Sequence, residues 1–215
     1  MIPFVLESPG GFCGAGSAPD WVVYLHGFRS SSSSAKAQQV IALFQALGLS
    51  ERLWVPDLPA SPAKALQCVE AEIQVRLQHN PALKLAFVGS SLGGYYATVL
   101  GQRHVDSRVV VLNPAVKPYD DLIDQIGKKK LYFSDEEIEF LPAYLDELRQ
   151  MEALGLDAPA RYLLVAATGD EVLSFSSMLA RYPGAHQLRL LGADHALSQF
   201  VEQLPFVRLF LGLPN

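Results

Sequence analysis

Leu83-Lys84-Leu85-Ala86-Phe87-Val88 runs directly into Gly89-Ser90-Ser91-Leu92-Gly93, and Gly94-Tyr95-Tyr96-Ala97-Thr98-Val99-Leu100 follows. The first segment is an apolar run of strand length, and the last has the composition of a buried helix. Gly-x-Ser-x-Gly between a strand and a helix is the pattern of a nucleophile elbow. Its spacing has a steric cause. The serine sits at the apex of a very tight turn, and the residues two before and two after it pass so close to neighbouring backbone that side chains are excluded. Only Ser91 fits that register, because Ser90 would need glycine where Val88 and Leu92 stand.

Working outward, apolar strand-like runs recur with helical segments between them. Trp21-Val22-Val23-Tyr24-Leu25, Leu53-Trp54-Val55-Pro56, Arg108 to Asn113, Arg161 to Ala167 and His186 to Leu191 read as strands. Ala35 to Leu47 carries Val40, Ile41, Phe44 and Leu47 at helical spacing, with Gly48 as a stop. Ser61-Pro62 opens a second helix as N-cap and first residue, and Asn80-Pro81 closes it. Alternating strands and helices predict a mostly parallel sheet covered on both faces.

Three strand ends carry chemistry in chain order. Ser91 is followed by Asp170, in Thr168-Gly169-Asp170-Glu171-Val172, and by His195, in Gly192-Ala193-Asp194-His195. Ser…Asp…His is the order of an α/β-hydrolase triad. A serine hydroxyl is a weak nucleophile, so His195 must take its proton and return it to the leaving group, while an acid holds the imidazole. Asp170 is the preferred acid because it stands first beyond its strand; Glu171 is the rival. Asp194 reads as a surface or outlying carboxylate, and Asp57 precedes the serine, the wrong order for this fold. His26-Gly27-Phe28 follows an early strand. There the backbone N–H of Phe28, with that of Leu92, is expected to form the oxyanion hole, and His26 and Gly27 to order the loop.

The remainder narrows the function class. The chain has 215 residues, half of them hydrophobic, and a net charge of −5. Its pI is near 5.5 and its mean hydropathy +0.18. This fits one domain over 1–215 and argues against nucleic-acid binding or a polybasic membrane patch. Lys128-Lys129-Lys130 reads as a solvated loop. Cys13 and Cys68 make neither a disulfide framework nor a metal site, and the five histidines are scattered without ligand spacing. No signal peptide or membrane span is legible, so a cytoplasmic protein without membrane insertion is the expectation.

Residues 1–20 read as an irregular lead-in. From 115 to 160 the strand rhythm stops, and a small helical cap over the pocket is expected. A stripe of Ile138, Leu141, Leu145 and Leu148 predicts a helix over 135–151, with Ser134 and Glu137 as a capping box and Pro142 a kink or start. Tyr119, Tyr132, Phe133 and Phe140 are open to either acyl binding or core packing. Ala196 to Leu211 predicts a terminal amphipathic helix interrupted near Pro205.

Tyr24-Leu25-His26-Gly27-Phe28, Ser34-Ala35-Lys36-Ala37, Val88 to Thr98, Asn113-Pro114-Ala115-Val116, Thr168 to Leu173 and Gly192 to His195 together resemble the YqiA-like esterases, small bacterial α/β-hydrolases. The resemblance covers Val22 to the C-terminus. It implies hydrolysis of short-chain esters, acyl-CoA thioesters among the candidates, without metal or cofactor. Ser91, Asp170 and His195 fall on the family's triad positions. Arg29 and Asp194 depart from the family, which often has asparagine at both places. Two other functions use the same residues: a ligand-binding protein on a hydrolase scaffold, and an acyltransferase with the same triad.

Overall fold

A computed structural model describes residues 2–11, 17–132, 135–152 and 155–214. In chain order it contains β1 (Phe4–Glu7), β2 (Trp21–Leu25), α1 (Ala35–Ala46), β3 (Leu53–Trp54), α2 (Pro62–His79), β4 (Leu85–Ser90), α3 (Leu92–Arg103) and β5 (Arg108–Leu112). Then come α4 (Pro118–Asp121), β6 (Gly127–Lys130), β7 (Glu137–Phe140), α5 (Pro142–Gln150), β8 (Tyr162–Ala167), α6 (Phe175–Arg181), β9 (His186–Leu190) and α7 (Leu204–Leu211).

Seven strands form one sheet in the order β1-β9-β8-β5-β4-β2-β3. All neighbours are parallel except β1, which pairs antiparallel with β9, Phe4 opposite Leu190. The central strands are buried along their whole length, which is why they read as continuous apolar runs. Successive side chains point to opposite faces. Trp21, Val23 and Leu25 pack with Leu66, Val69 and Ile73 of α2 and with α3. Val22 and Tyr24 pack with Val40 and Phe44 of α1 and with Val207 and Phe210 of α7. The sheet is thus covered on both faces, as expected.

Four expectations need correction. The lead-in contains β1, a four-residue edge strand whose Phe4 and Val5 are exposed; a run this short, whose partner β9 lies far along the chain, carries little signal. The predicted helix over 135–151 divides. Residues 137–140 form β7, with Ile138 and Phe140 directed inward at a period of two, and α5 begins at Pro142 in its first turn. Proline lacks the N–H that a helix interior requires, and it holds Leu141 extended (ψ 150°). Ser134, half of the proposed capping box, lies outside the described residues, as do Phe133 and Cys13; Glu137 is in a strand. Lys128-Lys129-Lys130 is strand rather than loop: β6 pairs with β7, Lys128 opposite Glu139 and Lys130 opposite Glu137, so opposite charges face each other across the hairpin. Finally, the helical part of 196–211 is α7 alone, with Pro205 in its first turn, preceded by a 3-10 turn at Phe200–Glu202.

Residues 118–150, holding α4, the β6–β7 hairpin and α5, are fastened to the body. Glu147 of α5 accepts from Ser61 Oγ (2.8 Å) and Ala63 N–H (2.9 Å) at the N-terminus of α2. Tyr95 of α3 donates to Leu148 O (2.7 Å). A carboxylate at a helix N-terminus satisfies free N–H groups and complements the helix dipole. Tyr119 and Phe140 are buried in the core, whereas Tyr132 lines the cavity described next.

Candidate active site

The turn from β4 into α3 carries Ser91 at φ 54°, ψ −120°. This is a disfavoured region for serine, and the surroundings impose it. Ser91 N–H donates to Leu112 O (3.0 Å), and Ser91 O accepts from Gly94 N–H (2.9 Å) and Ala115 N–H (3.1 Å). A Cβ on Gly89 would collide with the carbonyl of Gly93, and one on Gly93 with the carbonyl of Leu25. Glycine at both positions is what lets the strand, the turn and β2 approach this closely.

Ser91 lines a cavity of about 630 Å³ together with Gly27, Phe28, Arg29, Lys36, Leu92 and His195. All come from the C-terminal ends of parallel strands or the segments that follow, the usual place for a site in such a sheet. His195, after β9, donates through Nδ1–H to Asp170 Oδ2 at 2.8 Å. The Asp170 side chain is fully buried. Burial pushes its carboxyl up, but hydrogen bonds from the His195 ring and the Leu173 and Val172 amides outweigh that and hold it below the usual range. Glu171 also reaches His195, through a different atom: its Oε2 accepts from the His195 backbone N–H at 3.0 Å. Asp194 is occupied with Ser198, accepting from its N–H at 2.9 Å. Asp57 accepts from Ser32 N–H (2.6 Å). Ser91 and His195 face the same cavity, but no hydrogen bond joins them.

The loop after β2 is fixed by His26. Its Nε2 accepts from Leu58 N–H (2.9 Å), leaving Nδ1 to donate to Gly27 O (2.9 Å). Burial keeps this histidine below its ordinary pKa. Gly27 packs against Ser91: a Cβ there would lie 3.2 Å from Ser91 Cβ and 3.3 Å from Ser90 O. Phe28 packs edge-on against Phe140 of β7, 5.0 Å between ring centres. Arg29 adopts φ 57° and joins this loop to the hairpin. Its Nε donates to Lys130 O (2.6 Å), its carbonyl accepts from Tyr132 N–H (2.9 Å), and its guanidinium lies 4.4 Å from the Tyr132 ring centre.

Sequence reasoning gave no role to Asn113. β5 lies between the strand of Ser91 and that of Asp170, and Asn113 stands at its end, 1% exposed with φ 41°. Its Oδ1 accepts from Ala167 N–H (2.8 Å), and its Nδ2 donates to Asp194 O and His195 O (both 3.1 Å). One side chain therefore ties the ends of β5 and β8 to the loop of His195. The available signal was an asparagine ending an otherwise apolar strand. Among the described residues, no group of three or more His, Cys, Asp or Glu is placed to hold a metal ion. Nor is any helix among them long and apolar enough to cross a membrane.

Residues 21–212 match the sequence profile described as Uncharacterised protein family (UPF0227). The chain belongs to this family. The resemblance read from its motifs stands, since curated relatives include the UPF0227 protein YcfP of Salmonella paratyphi B and of Salmonella newport. Each is 32% identical over 111 residues, 52% of this chain and 59% of the relative's length. The match to these relatives thus spans under two thirds of their length. Solved structures share the architecture at low identity. A monoacylglycerol lipase of Paleococcus ferrophilus superposes with TM-score 0.63 at 16% identity, covering 98% of both chains. Est1E of Butyrivibrio proteoclasticus, solved with ferulic acid, gives 0.60 at 13% identity, covering 97% of this chain and 92% of its own. The fold is that of the α/β-hydrolases.

Proposed function

We propose that this UPF0227 member is a serine hydrolase that cleaves carboxylic esters, thioesters included, through Ser91, His195 and Asp170. The observation that carries the reading is the 2.8 Å bond from His195 Nδ1 to a buried Asp170, on the wall of a cavity that also exposes a serine held at φ 54°. With Asp170 on Nδ1, the lone pair of Nε2 is left to act as base. Substrate entry brings Ser91 Oγ within reach of it; catalytic hydrogen bonds commonly tighten only in the complex.

The chemistry then proceeds in two halves. The Ser91 Oγ–carbonyl bond forms as Oγ passes its proton to His195 Nε2. The tetrahedral oxyanion is met by the N–H groups of Phe28 and Leu92, which have no acceptor among the described residues. Collapse breaks the bond to the leaving oxygen or sulfur, which takes the proton from His195. Water, deprotonated by His195, attacks the acyl-enzyme and returns Ser91 to its starting state.

Hydrolysis of a p-nitrophenyl ester series by wild type and Ser91→Ala tests this. Turnover by wild type, falling by roughly 10³-fold or more in a folded Ser91→Ala, supports the reading. Equal activity in the two, or none in wild type with any acyl chain, refutes it.

A further inference from the structure

Lys36 is a cation the proposed chemistry does not use. It is the second residue of α1, half-buried, and it lines the same cavity as Ser91 and His195. Its Nζ donates to Ala196 O at 2.7 Å, next in the chain to the proposed base. An ammonium carries three donors, and this bond uses one. The carboxylates nearby are committed elsewhere: Asp170 to the His195 ring, Glu171 to the His195 amide, Asp194 to Ser198. Among the described residues none of them forms an ion pair with Lys36.

The same cavity holds a second cation, Arg29, whose Nη groups have no acceptor among the described residues. The other acid on its wall, Asp121, lies beside Asp120; partial withdrawal from water and that neighbour push its carboxyl up. An unpaired ammonium withdrawn from water is unfavourable unless something compensates it. Burial accordingly lowers Lys36 to about 8, against the pull of Asp194 and Asp170. At neutral pH it is still charged.

Position decides which part of a substrate Lys36 meets. The base must hand its proton to the leaving group, so the leaving group lies against His195. Lys36, bonded to the residue after His195, stands on that side. We propose that Lys36 is an anion subsite, and that the preferred substrates are esters or thioesters whose leaving group carries a carboxylate or phosphate close to the scissile bond. This rests on the serine hydrolase reading above and specifies its substrate class.

The test compares meta-acetoxybenzoate with its neutral counterpart, methyl meta-acetoxybenzoate, which has the same acyl group and a similar phenolic leaving group. A third arm, meta-acetoxyphenyl phosphate, separates carboxylate from phosphate recognition. Wild type should prefer one of the anionic esters by about tenfold in kcat/KM, as expected for a partly buried charge-assisted contact. Lys36→Met should bring the ratio towards one and Lys36→Arg should keep most of it.

Lys36 also steadies the Ala196 carbonyl, so Lys36→Met lowers both rates; the ratio is the readout. A uniform fall with the ratio unchanged means that Lys36 only positions the loop, and overturns the proposal. So does a wild type that hydrolyses all three esters without preference. A wild type that hydrolyses p-nitrophenyl acetate but none of these three esters also overturns the subsite, whereas one inactive on the whole p-nitrophenyl series fails the hydrolase reading and removes the subsite with it.

Discussion

Replacing Asn113 with alanine removes the side chain that ties the end of β5 to the end of β8 and to the loop of His195. Three hydrogen bonds disappear, at 2.8, 3.1 and 3.1 Å, from a residue only 1% exposed. A net 0.5–1.5 kcal/mol each gives roughly 2–4 kcal/mol, and the Ala167 N–H is left buried without a partner. The position also holds φ 41°, which alanine tolerates less well than asparagine by up to about 1 kcal/mol. The loss is therefore about 3 kcal/mol, and for a chain of this size the melting temperature should fall by roughly 6–12 °C. Thermal unfolding followed by circular dichroism measures it. Asn80→Ala is the control: its side chain accepts one bond, from Ala82 N–H at 3.2 Å, on an exposed helix end, and should lose about 0.5 kcal/mol. In folded Asn113→Ala, kcat on p-nitrophenyl acetate should fall more than KM rises, because the loop of His195 loses two of its anchors. A melting temperature within about 2 °C of wild type, or one no lower than that of Asn80→Ala, would refute the assignment of Asn113 as the tie between these strand ends.

Two further predictions address the charges around His195. Asp170→Asn should lower kcat by about 10³–10⁴-fold, because the amide favours the wrong imidazole tautomer. Glu171→Gln, which still offers an oxygen to the His195 amide, should stay within about threefold of wild type; the reverse ranking would make Glu171 the acid. The preference for an anionic leaving group should also depend on pH. Lys36 titrates at about 8 in the folded chain against an ordinary 10.5, so the preference is fully present below about pH 8 and lost as pH rises through it. Between these two values the unfolded chain holds a proton that the folded chain lacks, so stability rises with pH across that window. The charges of Asp194 and Asp170 act on Lys36, and the titratable or charged groups that share its cavity wall are Tyr24, Arg29, Asp121, Tyr132, Glu171 and His195. Titration of the base alters both esters alike and cancels in their ratio. A ratio constant from pH 6 to 10 would contradict this role for Lys36.

The sequence by itself carried the sheet and the elbow. Buried parallel strands must be apolar along their length, so Trp21–Leu25, Leu85–Ser90 and Tyr162–Ala167 announce themselves. The glycines at 89 and 93 answer to a local steric demand. Ser61-Pro62 likewise marks a helix start through local geometry, and α2 begins at Pro62. These are short-range properties, encoded within a few residues.

Tertiary structure decided what depends on partners far away in the chain. The stripe at Ile138, Leu141, Leu145 and Leu148 satisfies a helical period, yet 137–140 pairs with 127–130 because a strand partner and Pro142 outweigh that period. Asp170 and Glu171 are neighbours in sequence, and only the fold sends one to the imidazole and the other to the amide of the same histidine. Asn113 and Lys36 acquire their positions beside residues more than eighty apart in the chain. No local pattern records such contacts, because the free energy that fixes them comes from pairing buried polar groups across the whole sheet.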